Sequence, residues 1–135
     1  MIFGDREKYV KQKLYFTKKN CPFCIYSKDE EKLFLYETDY WKIIYNKFPY
    51  YGNKHLMAIP KRHIKFTTEL NKNELIDYKN IEIFMKDFYK EKNYYSFIRQ
   101  TTGGRSVEHL HYHYLPGDIL FDETNHDKIF RIKNI

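Results

Sequence analysis

Three histidines near the C-terminal end of the chain alternate with other side chains. His109, His111 and His113 are separated by Leu110 and Tyr112. Successive side chains of a β-strand point to opposite faces, so a strand would place the three imidazoles on one face, about 6.6–6.8 Å apart. A helix would rotate successive histidines by about 200° and scatter them. The alternation therefore predicts a strand with a row of imidazoles on one face and an apolar face that packs on the rest of the fold.

Two kinds of chemistry are open to such a row. The neutral ring nitrogen of histidine is a common metal ligand. Imidazole is also a nucleophile that divides a difficult displacement into two easier steps through a covalent intermediate. The spacing alone is satisfied both by a metal site and by a nucleophile that lies between two helper groups.

Two cysteines near the N-terminus, Cys21 and Cys24, have the C-x2-C spacing of half a zinc site. A pair of cysteines cannot build a disulfide framework, and in a reducing compartment it indicates metal or redox chemistry. The run CPFC, which follows a strand-like segment at residues 13–17, is also similar to the start of a glutaredoxin, where a reactive cysteine opens a helix. A glutaredoxin needs a long helix at this point, whereas residues 25–31 allow barely two turns before the next strand-like run.

Residues 109–115, HLHYHYL, resemble the His-φ-His-φ-His-φ-φ signature of the histidine triad superfamily of nucleotide hydrolases and transferases, in which φ is apolar. Residues 55–63, HLMAIPKRH, are similar to an earlier segment of that family, a strand that ends in proline and is followed by a basic residue and a histidine. Residues 104–107, GRSV, stand where the family places a phosphate-binding loop. The resemblance spans residues 21–116, about two-thirds of the chain.

The resemblance implies a covalent mechanism. His111 would attack the α-phosphorus of a nucleoside phosphoramidate or a dinucleoside polyphosphate, and water or another acceptor would then release the nucleotide. His113 would contact the phosphate oxygens or assist the leaving group. Turn amides and an arginine side chain are suited to phosphate oxygens. The implied phosphate contacts are Gly104, Arg105 and Ser106. Asn46 is also expected to contact the substrate, at the ribose, and His55 to lie at the edge of the substrate site.

The resemblance also implies a structural zinc ion. Some histidine triad proteins bind zinc through a cysteine pair, the histidine that follows the proline-containing turn and the first histidine of the triad. The matching residues in this sequence are Cys21, Cys24, His63 and His109. Zinc held by these four would tie the N-terminal turn to the catalytic strand and leave the other two triad histidines for the reaction.

Length and composition fit one domain. The 135 residues have a mass of 16.8 kDa and are 42% hydrophobic and 31% charged, a balance that excludes a disordered chain. The domain is expected to span residues 1–135, with a core at about 13–116 and a tail at 117–135. No apolar run approaches the roughly 18 residues of a membrane span. The first residues do not form a secretory signal, so a cytoplasmic protein is expected.

The formal net charge of +6 favours anionic partners such as nucleotides, nucleic acids and acidic proteins. Charge alone selects none of them. A noncatalytic nucleotide-binding or nucleic-acid-binding module therefore stays open as an alternative, although the sequence has no stacking motif like that of RNA-recognition domains.

These residues must be positioned by the strands and helices of the fold. Short strand-like runs with one long helical segment predict an α+β domain with a central antiparallel sheet and one main helix. Turn residues and apolar runs divide the chain into short strands, of which those at residues 32–36 and 41–45 form a hairpin. The strands are expected at residues 32–36, 41–45, 55–59, 94–101, 107–115 and 128–132.

The main helix is expected over residues 71–92. Asn71 can serve as its N-cap, and Glu74, three residues later, completes a capping-box pattern. Apolar residues recur at helical spacing and predict a stripe that packs on the sheet. The stripe consists of Leu75, Tyr78, Ile81, Met85, Phe88 and Tyr89. Because members of the family usually pair through their sheets, a homodimer is expected.

Overall fold

The fold is that of a computed structural model, which describes residues 21–25, 27–90, 92–100, 108–121 and 130–133. Five short strands form its main sheet. They are β1 Phe34–Glu37, β2 Trp41–Tyr45, β3 Leu56–Pro60, β4 Tyr94–Phe97 and β5 Tyr112–Pro116. Two further strands, β6 Asp118–Phe121 and β7 Phe130–Lys133, form a separate two-stranded sheet.

One long helix accompanies the sheet. The short helix α1, Lys28–Glu31, precedes β1, and a single 3-10 turn, Thr67–Glu69, leads into the main helix α2, Lys72–Tyr89. Within the part of the chain that the structure describes, neither helix is long and apolar enough to cross a membrane.

The main sheet has the order β1-β2-β3-β5-β4, and every neighbouring pair is antiparallel. The predicted hairpin, the antiparallel sheet and the single main helix are confirmed. β2 and β3 pair along their whole length, with Trp41 opposite Pro60 and Tyr45 opposite Leu56. β3 and β5 lie side by side, so the residues that end β3 and those that begin β5 come together at one end of the sheet.

The main helix begins as predicted. The side-chain oxygen of Asn71 accepts a hydrogen bond from the Glu74 amide at 2.9 Å, and the Glu74 carboxylate accepts one from the Asn71 amide at 2.9 Å. These bonds satisfy amides that a helix N-terminus otherwise leaves open. The helix ends at Tyr89, three residues before the predicted end at residue 92. Lys90, the residue that follows the helix, has a positive φ of 57°.

One position of the predicted apolar stripe is wrong. Leu75 is 58% exposed, whereas Glu74 is 1% exposed. Glu74, Tyr78 and Ile81 recur at spacings of four and three residues, so the carboxylate takes the first position of the buried stripe. Arg62 compensates its burial, because the guanidinium donates to both carboxylate oxygens, at 2.8 and 3.2 Å.

The helix and the sheet enclose the main core. Trp41 is fully buried, and its indole nitrogen donates to the backbone carbonyl of Glu74 at 2.8 Å. The ring of Tyr112 lies 4.9 Å from that of Tyr78, whose hydroxyl contacts the hydroxyl of Tyr114. The aromatic residues that alternate with the histidines therefore face the helix, as predicted. The buried members of this core are Trp41, Ile43, Leu56, Ala58, Ile81, Met85, Tyr89 and Tyr114.

The histidine-bearing strand is shorter than predicted. β5 begins at Tyr112, so His113 lies in the strand and the other two triad histidines precede it. Backbone pairing with β3 ends at the pair of Ala58 and Tyr112. Before that pair the Leu110 amide donates instead to the carbonyl of Ile64, at 2.7 Å. The segment thus leaves the sheet because the chain beyond β3 supplies its hydrogen-bond partner.

The C-terminal part also differs from the prediction. Gly117 has a φ of 129°, which favours glycine, and β6 follows at once where only a tail was expected. β7 overlaps the strand predicted at 128–132. β4 ends at Phe97, short of the predicted residue 101. The strand-like run at 13–17 lies outside the described residues.

Replacing Ile81 with Ala should lower the free energy of unfolding by about 2–5 kcal/mol, because Ile81 is fully buried and the change leaves a cavity. Ile83, on the same helix but 58% exposed, is the matched control, and its replacement by Ala should change the free energy by less than about 0.5 kcal/mol. Urea denaturation of the two variants measures the difference. Equal losses would contradict the assignment of the buried face.

Candidate functional site

The segment before β5 determines the tautomer of His111. His111 is 7% exposed, and its Nδ1 lies 2.7 Å from the backbone carbonyl oxygen of His109. A carbonyl oxygen only accepts hydrogen bonds, so Nδ1 carries the proton. In the neutral ring the lone pair is then on Nε2. The backbone thereby selects the tautomer in which Nε2 can act as a nucleophile.

A chain of two hydrogen bonds determines the tautomer of His113. The Tyr50 amide donates to Nδ1 of His55 at 3.2 Å, so the proton of neutral His55 is on Nε2. This Nε2 lies 2.8 Å from Nδ1 of His113 and donates to it. The proton of neutral His113 is therefore on its Nε2. The rings of His111 and His113, whose centroids lie 4.8 Å apart, consequently present an acceptor and a donor side by side.

Asn46 and His55, both predicted at the substrate site, lie together. They are 7% and 1% exposed. The amide nitrogen of Asn46 lies 3.3 Å from Nδ1 of His55, and its side-chain oxygen accepts from the Phe48 amide at 2.8 Å. Asn46 lines the pocket described next, whereas His55 is connected to that pocket through His113.

A pocket with largely apolar walls opens beside the two histidines. Phe23 lies edge-on to His111, with ring centroids 5.1 Å apart, and Phe97 stacks on His113 at 4.8 Å with an interplanar angle of 18°. Tyr50 also stacks on His113, at 5.4 Å. These rings hold the imidazoles in position, and such walls suit a flat aromatic ligand. Phe23, Tyr50 and the two histidines line the pocket, and its further lining residues include Leu33, Ile44, Asn46, Lys47, Phe48 and Met57.

The four predicted metal ligands, Cys21, Cys24, His63 and His109, form one cluster whose donor atoms all lie within 4.8 Å of one another. Nδ1 of His63 lies 3.1 Å from Sγ of Cys24. Nδ1 of His109 lies 3.4 Å from Sγ of Cys24 and 3.6 Å from Sγ of Cys21. Tetrahedral zinc with its usual bond lengths gives sulfur–nitrogen edges of about 3.5 Å. The cluster therefore fits zinc in the type, number and spacing of its donors.

His109 is oriented as a ligand by the end of β3. Its Nε2 lies 2.7 Å from the carbonyl oxygen of Pro60, so Nε2 carries the proton and Nδ1 has its lone pair toward the thiols. Burial lowers the pKa of His109 to about 4, which keeps the ring neutral near pH 7. A neutral imidazole whose outer N–H donates to a carbonyl is the usual form of a metal-bound histidine.

The cysteine pair is less suited to thiol–disulfide exchange. Cys21 is 1% exposed, and burial raises the pKa of its thiol to about 11, whereas a reactive thiol has a lowered pKa. The residues after the pair form the four-residue helix α1 and then the hairpin. The long helix that a glutaredoxin requires after its cysteines therefore does not form at this place.

Sequence reasoning missed Lys42 at this site. Its side chain is buried, and Nζ donates to the backbone carbonyl of Phe23, in the turn between the two cysteines. Burial lowers the pKa of Lys42 to about 8. A lysine inside the apolar run WKIIY was the signal that could have identified it. Phe23 and Tyr50 were also missed, and no sequence pattern distinguishes them from other aromatic residues.

The predicted phosphate loop lies outside the described residues. It comprises Gly104, Arg105 and Ser106, which the resemblance placed against the phosphates. The other predicted site residues fall into two neighbouring groups. One is the group of four predicted metal ligands, Cys21, Cys24, His63 and His109, which we call the metal cluster. The other is the set of Asn46, His55, His111 and His113 at the pocket.

Comparison with known proteins shows which family the chain matches. The model of the family described as "Scavenger mRNA decapping enzyme C-term binding" matches residues 20–126. An "Uncharacterized HIT-like protein" of Chlamydia muridarum is 34% identical, over 64% of this chain and 71% of that protein. The chain belongs to this family and to the histidine triad superfamily. The resemblance predicted from the three histidines is thus confirmed.

Solved structures share the fold of this histidine triad protein. A HIT family hydrolase from Clostridium thermocellum is 26% identical, with a TM-score of 0.59 over 81% of this chain and 100% of the other. A HIT family hydrolase from Legionella pneumophila is 27% identical, with a TM-score of 0.56 over 73% of this chain and 94% of the other. A hypothetical protein from Leishmania major, 20% identical over 80% and 78% of the two chains, has the same fold with a TM-score of 0.63.

Purified protein should contain about one zinc ion per chain, bound by the four residues of the metal cluster. Replacing Cys24 with Ser or His63 with Ala should remove most of the metal and lower the melting temperature, since metal binding and folding are coupled. His55→Ala, a buried histidine outside the cluster, is the control and should keep its zinc. Metal analysis and thermal melts measure both effects. A full complement of zinc in Cys24→Ser, or metal-free wild-type protein, would contradict the site.

Proposed function

We propose that this histidine triad protein is a nucleotide hydrolase or nucleotidyltransferase that acts at the α-phosphate of a nucleoside phosphoramidate or a dinucleoside polyphosphate. The observation that carries the proposal is the 2.7 Å hydrogen bond from His111 Nδ1 to the carbonyl of His109, because it assigns the Nε2 lone pair to a ring that lines the pocket. The similarity to two HIT family hydrolases supports hydrolysis.

In the first half of the reaction, Nε2 of His111 forms a bond to the α-phosphorus as the bond from phosphorus to the leaving group breaks. The leaving group takes the electron pair. A polyphosphate departs as an anion, and an amine takes up a proton from solvent. The imidazole becomes positively charged, and the hydrogen bond from Nδ1 to the carbonyl oxygen of His109 stabilises that charge as it develops.

His113 supplies a hydrogen-bond donor beside the nucleophile. Its Nε2–H can donate to a phosphate oxygen while Nδ1 accepts from His55. Phosphoryl transfer depends mainly on positioning and charge stabilisation, so a fixed donor is the contribution required of this residue. His55 acts on the substrate through His113, as a positioning residue.

In the second half, a water oxygen bonds to the α-phosphorus and the bond from phosphorus to Nε2 breaks. The electron pair returns to His111, the water loses a proton to solvent, and a nucleoside monophosphate is released. Phosphate or another acceptor in place of water would make the reaction a transfer. On the family resemblance, Gly104, Arg105 and Ser106 hold the nonbridging oxygens through loop amides and charge, and Asn46 contacts the ribose.

The metal cluster supports the same site through His109. Its four residues would hold a structural zinc, which supplies a cross-link between the N-terminal turn and the segment before β5. The ring of His109 faces the cluster while its carbonyl faces His111. Fixing the ring therefore also fixes the group that sets the tautomer of the nucleophile.

Two other functions have less support. A glutaredoxin-like oxidoreductase would need an accessible thiol of low pKa, whereas Cys21 is buried and has a raised pKa. A noncatalytic nucleotide-binding module would use the same pocket. It would give no reason for the hydrogen bonds that set two adjacent histidines in complementary tautomers.

Replacing His111 with Ala should lower turnover by several powers of ten, since the covalent route needs the nucleophile. His113→Ala should cost less, on the order of 10²–10⁴-fold, as expected for a lost donor. Phosphorus NMR with a panel of nucleoside phosphoramidates and dinucleoside polyphosphates measures turnover. Mass spectrometry of protein trapped with substrate detects the acid-labile nucleotidyl adduct.

An adduct that still forms on the His111→Ala protein, or near-normal turnover by that variant, would overturn the nucleophile assignment. Nucleotide binding without turnover by the wild-type protein would favour the binding module. Dithiol activity that disappears on replacing Cys24 would favour the oxidoreductase. Circular dichroism and zinc content of each variant separate these outcomes from misfolding.

We also infer that the protein is a homodimer whose main sheet continues across the interface. β4 is an edge strand, which pairs with β5 alone among the described strands of the main sheet. An exposed edge is a ready partner for a second copy in a symmetric dimer. Solution scattering should give about twice the 16.8 kDa mass of one chain. A monodisperse monomer would contradict the inference.

A further inference from the structure

The proposed reaction leaves two charged residues of the pocket, Glu30 and Lys47, without a role. His111 and His113 act on the phosphate, and the remaining walls are mostly apolar or aromatic. Among the described residues that line this pocket, a single acidic residue is present, Glu30 on α1. The Leu33 amide donates to the Glu30 carbonyl at 3.0 Å, so the charged residue and an apolar wall residue belong to one rigid turn.

We propose that Glu30 makes the pocket select guanine nucleotides over adenine nucleotides by accepting hydrogen bonds from the Watson–Crick edge of the base. This inference rests on the proposed function, since it takes the pocket to hold the base of a nucleotide whose α-phosphate lies at His111. It adds the identity of the base, which neither the three histidines nor the metal cluster determines.

The chemistry of the bases gives the direction of the preference. A carboxylate has two acceptor oxygens and no donor. Guanine presents two adjacent donors on its Watson–Crick edge, N1–H and the N2 amino group, and these match the two oxygens of a carboxylate. Adenine presents one donor, the N6 amino group, beside the lone pair of N1, which repels a second carboxylate oxygen. Glu30 therefore has two hydrogen bonds to gain with guanine and at most one with adenine.

The carboxylate is held in place before any ligand binds. Its Oε1 accepts from the Ser27 amide at 3.1 Å, and the Glu30 amide donates to Oγ of Ser27 at 3.2 Å, which together form a capping box. The side chain is half-buried, so its conformational freedom is already reduced. A preorganised acceptor loses less entropy on binding and discriminates better than a mobile one.

The apolar walls increase the cost of the wrong base. Phe23 is 6% exposed and Leu33 is 5% exposed, so a bound base would be desolvated against them. A carboxylate that loses water without gaining donors pays a large penalty, and a site built to hydrogen-bond a ligand rejects analogues that lack the matching group. One bidentate contact to a base edge corresponds to discrimination on the order of tenfold to a hundredfold.

The first experiment measures the dissociation constants of GMP, IMP and AMP for the full-length wild-type protein by isothermal titration calorimetry. GMP should bind about ten to a hundred times more tightly than AMP. IMP keeps N1–H and lacks the N2 amino group, so it should fall between the two. AMP that binds as tightly as GMP would overturn the proposal.

The decisive variant is Glu30→Gln. Glutamine still completes a capping box, so α1 should remain intact, but the amide offers a donor where the carboxylate offered an acceptor. The ratio of AMP to GMP dissociation constants should fall at least tenfold. Glu31→Gln is the matched control, because Glu31 carries the same charge on the same helix and does not line this pocket, and its ratio should equal that of the wild type. An unchanged ratio in Glu30→Gln, or an equal fall in Glu31→Gln, would overturn the role of Glu30.

Turnover of guanosine and adenosine phosphoramidates separates this inference from the proposed function. Turnover of both compounds at equal kcat/KM would refute guanine selection and leave the reaction in place. Tighter binding of GMP than AMP without turnover of either compound would support the base preference and refute the reaction. Failure of all three nucleotides to bind would overturn both.

Discussion

The carbonyl oxygen of His109 determines which nitrogen of His111 can act as a nucleophile, and the site is arranged around that hydrogen bond. The position of this carbonyl is itself fixed from several directions. The His109 ring donates to the carbonyl of Pro60, and its other nitrogen faces the thiols of the metal cluster. The neighbouring Leu110 amide donates to the carbonyl of Ile64. A movement of this segment would therefore disturb His111 and the metal cluster together.

The sheet can support both His111 and the metal cluster because its central strands are buried on both faces. Ile43 and Leu56 belong to the core under the main helix, whereas their neighbours Ile44 and Met57 pack with Phe23 on the opposite face. The turn that carries the cysteines is thus held by the burial of its apolar side chains as well as by the contacts of its thiols with His63 and His109. This explains why β2 and β3 have nearly continuous apolar sequences rather than the alternation of a half-exposed strand.

Several polar groups are buried around this framework, and each has partners that offset its desolvation. Lys42 donates to the carbonyl of Phe23, and Glu74 pairs with Arg62 at the start of the main helix. His55 links the Tyr50 amide to His113. Each contact offsets the desolvation cost of its buried polar group and also restricts the rotation of the side chains that it joins. The contacts lie around the pocket and at the start of the main helix.

The sequence by itself determined those features that depend on local chemistry. The main helix was predictable because Asn71 and Glu74 form a capping box within four residues, and the hairpin because its strands are neighbours in the chain. The tertiary structure alone decided that Glu74 rather than Leu75 faces the core, since the choice depends on Arg62.

The same distinction holds at the candidate site. The spacing of the three histidines and of the cysteine pair, together with the family they resemble, was sufficient to predict the four residues that the structure brings together as candidate metal ligands and to name His111 as the proposed nucleophile. The hydrogen bond between His55 and His113 joins residues 58 positions apart, and Glu30 lines the pocket together with residues of β2 and β3 that are distant in the sequence. No local pattern encodes such contacts, because they arise only when separate strands and helices are brought together by the packing of the whole domain.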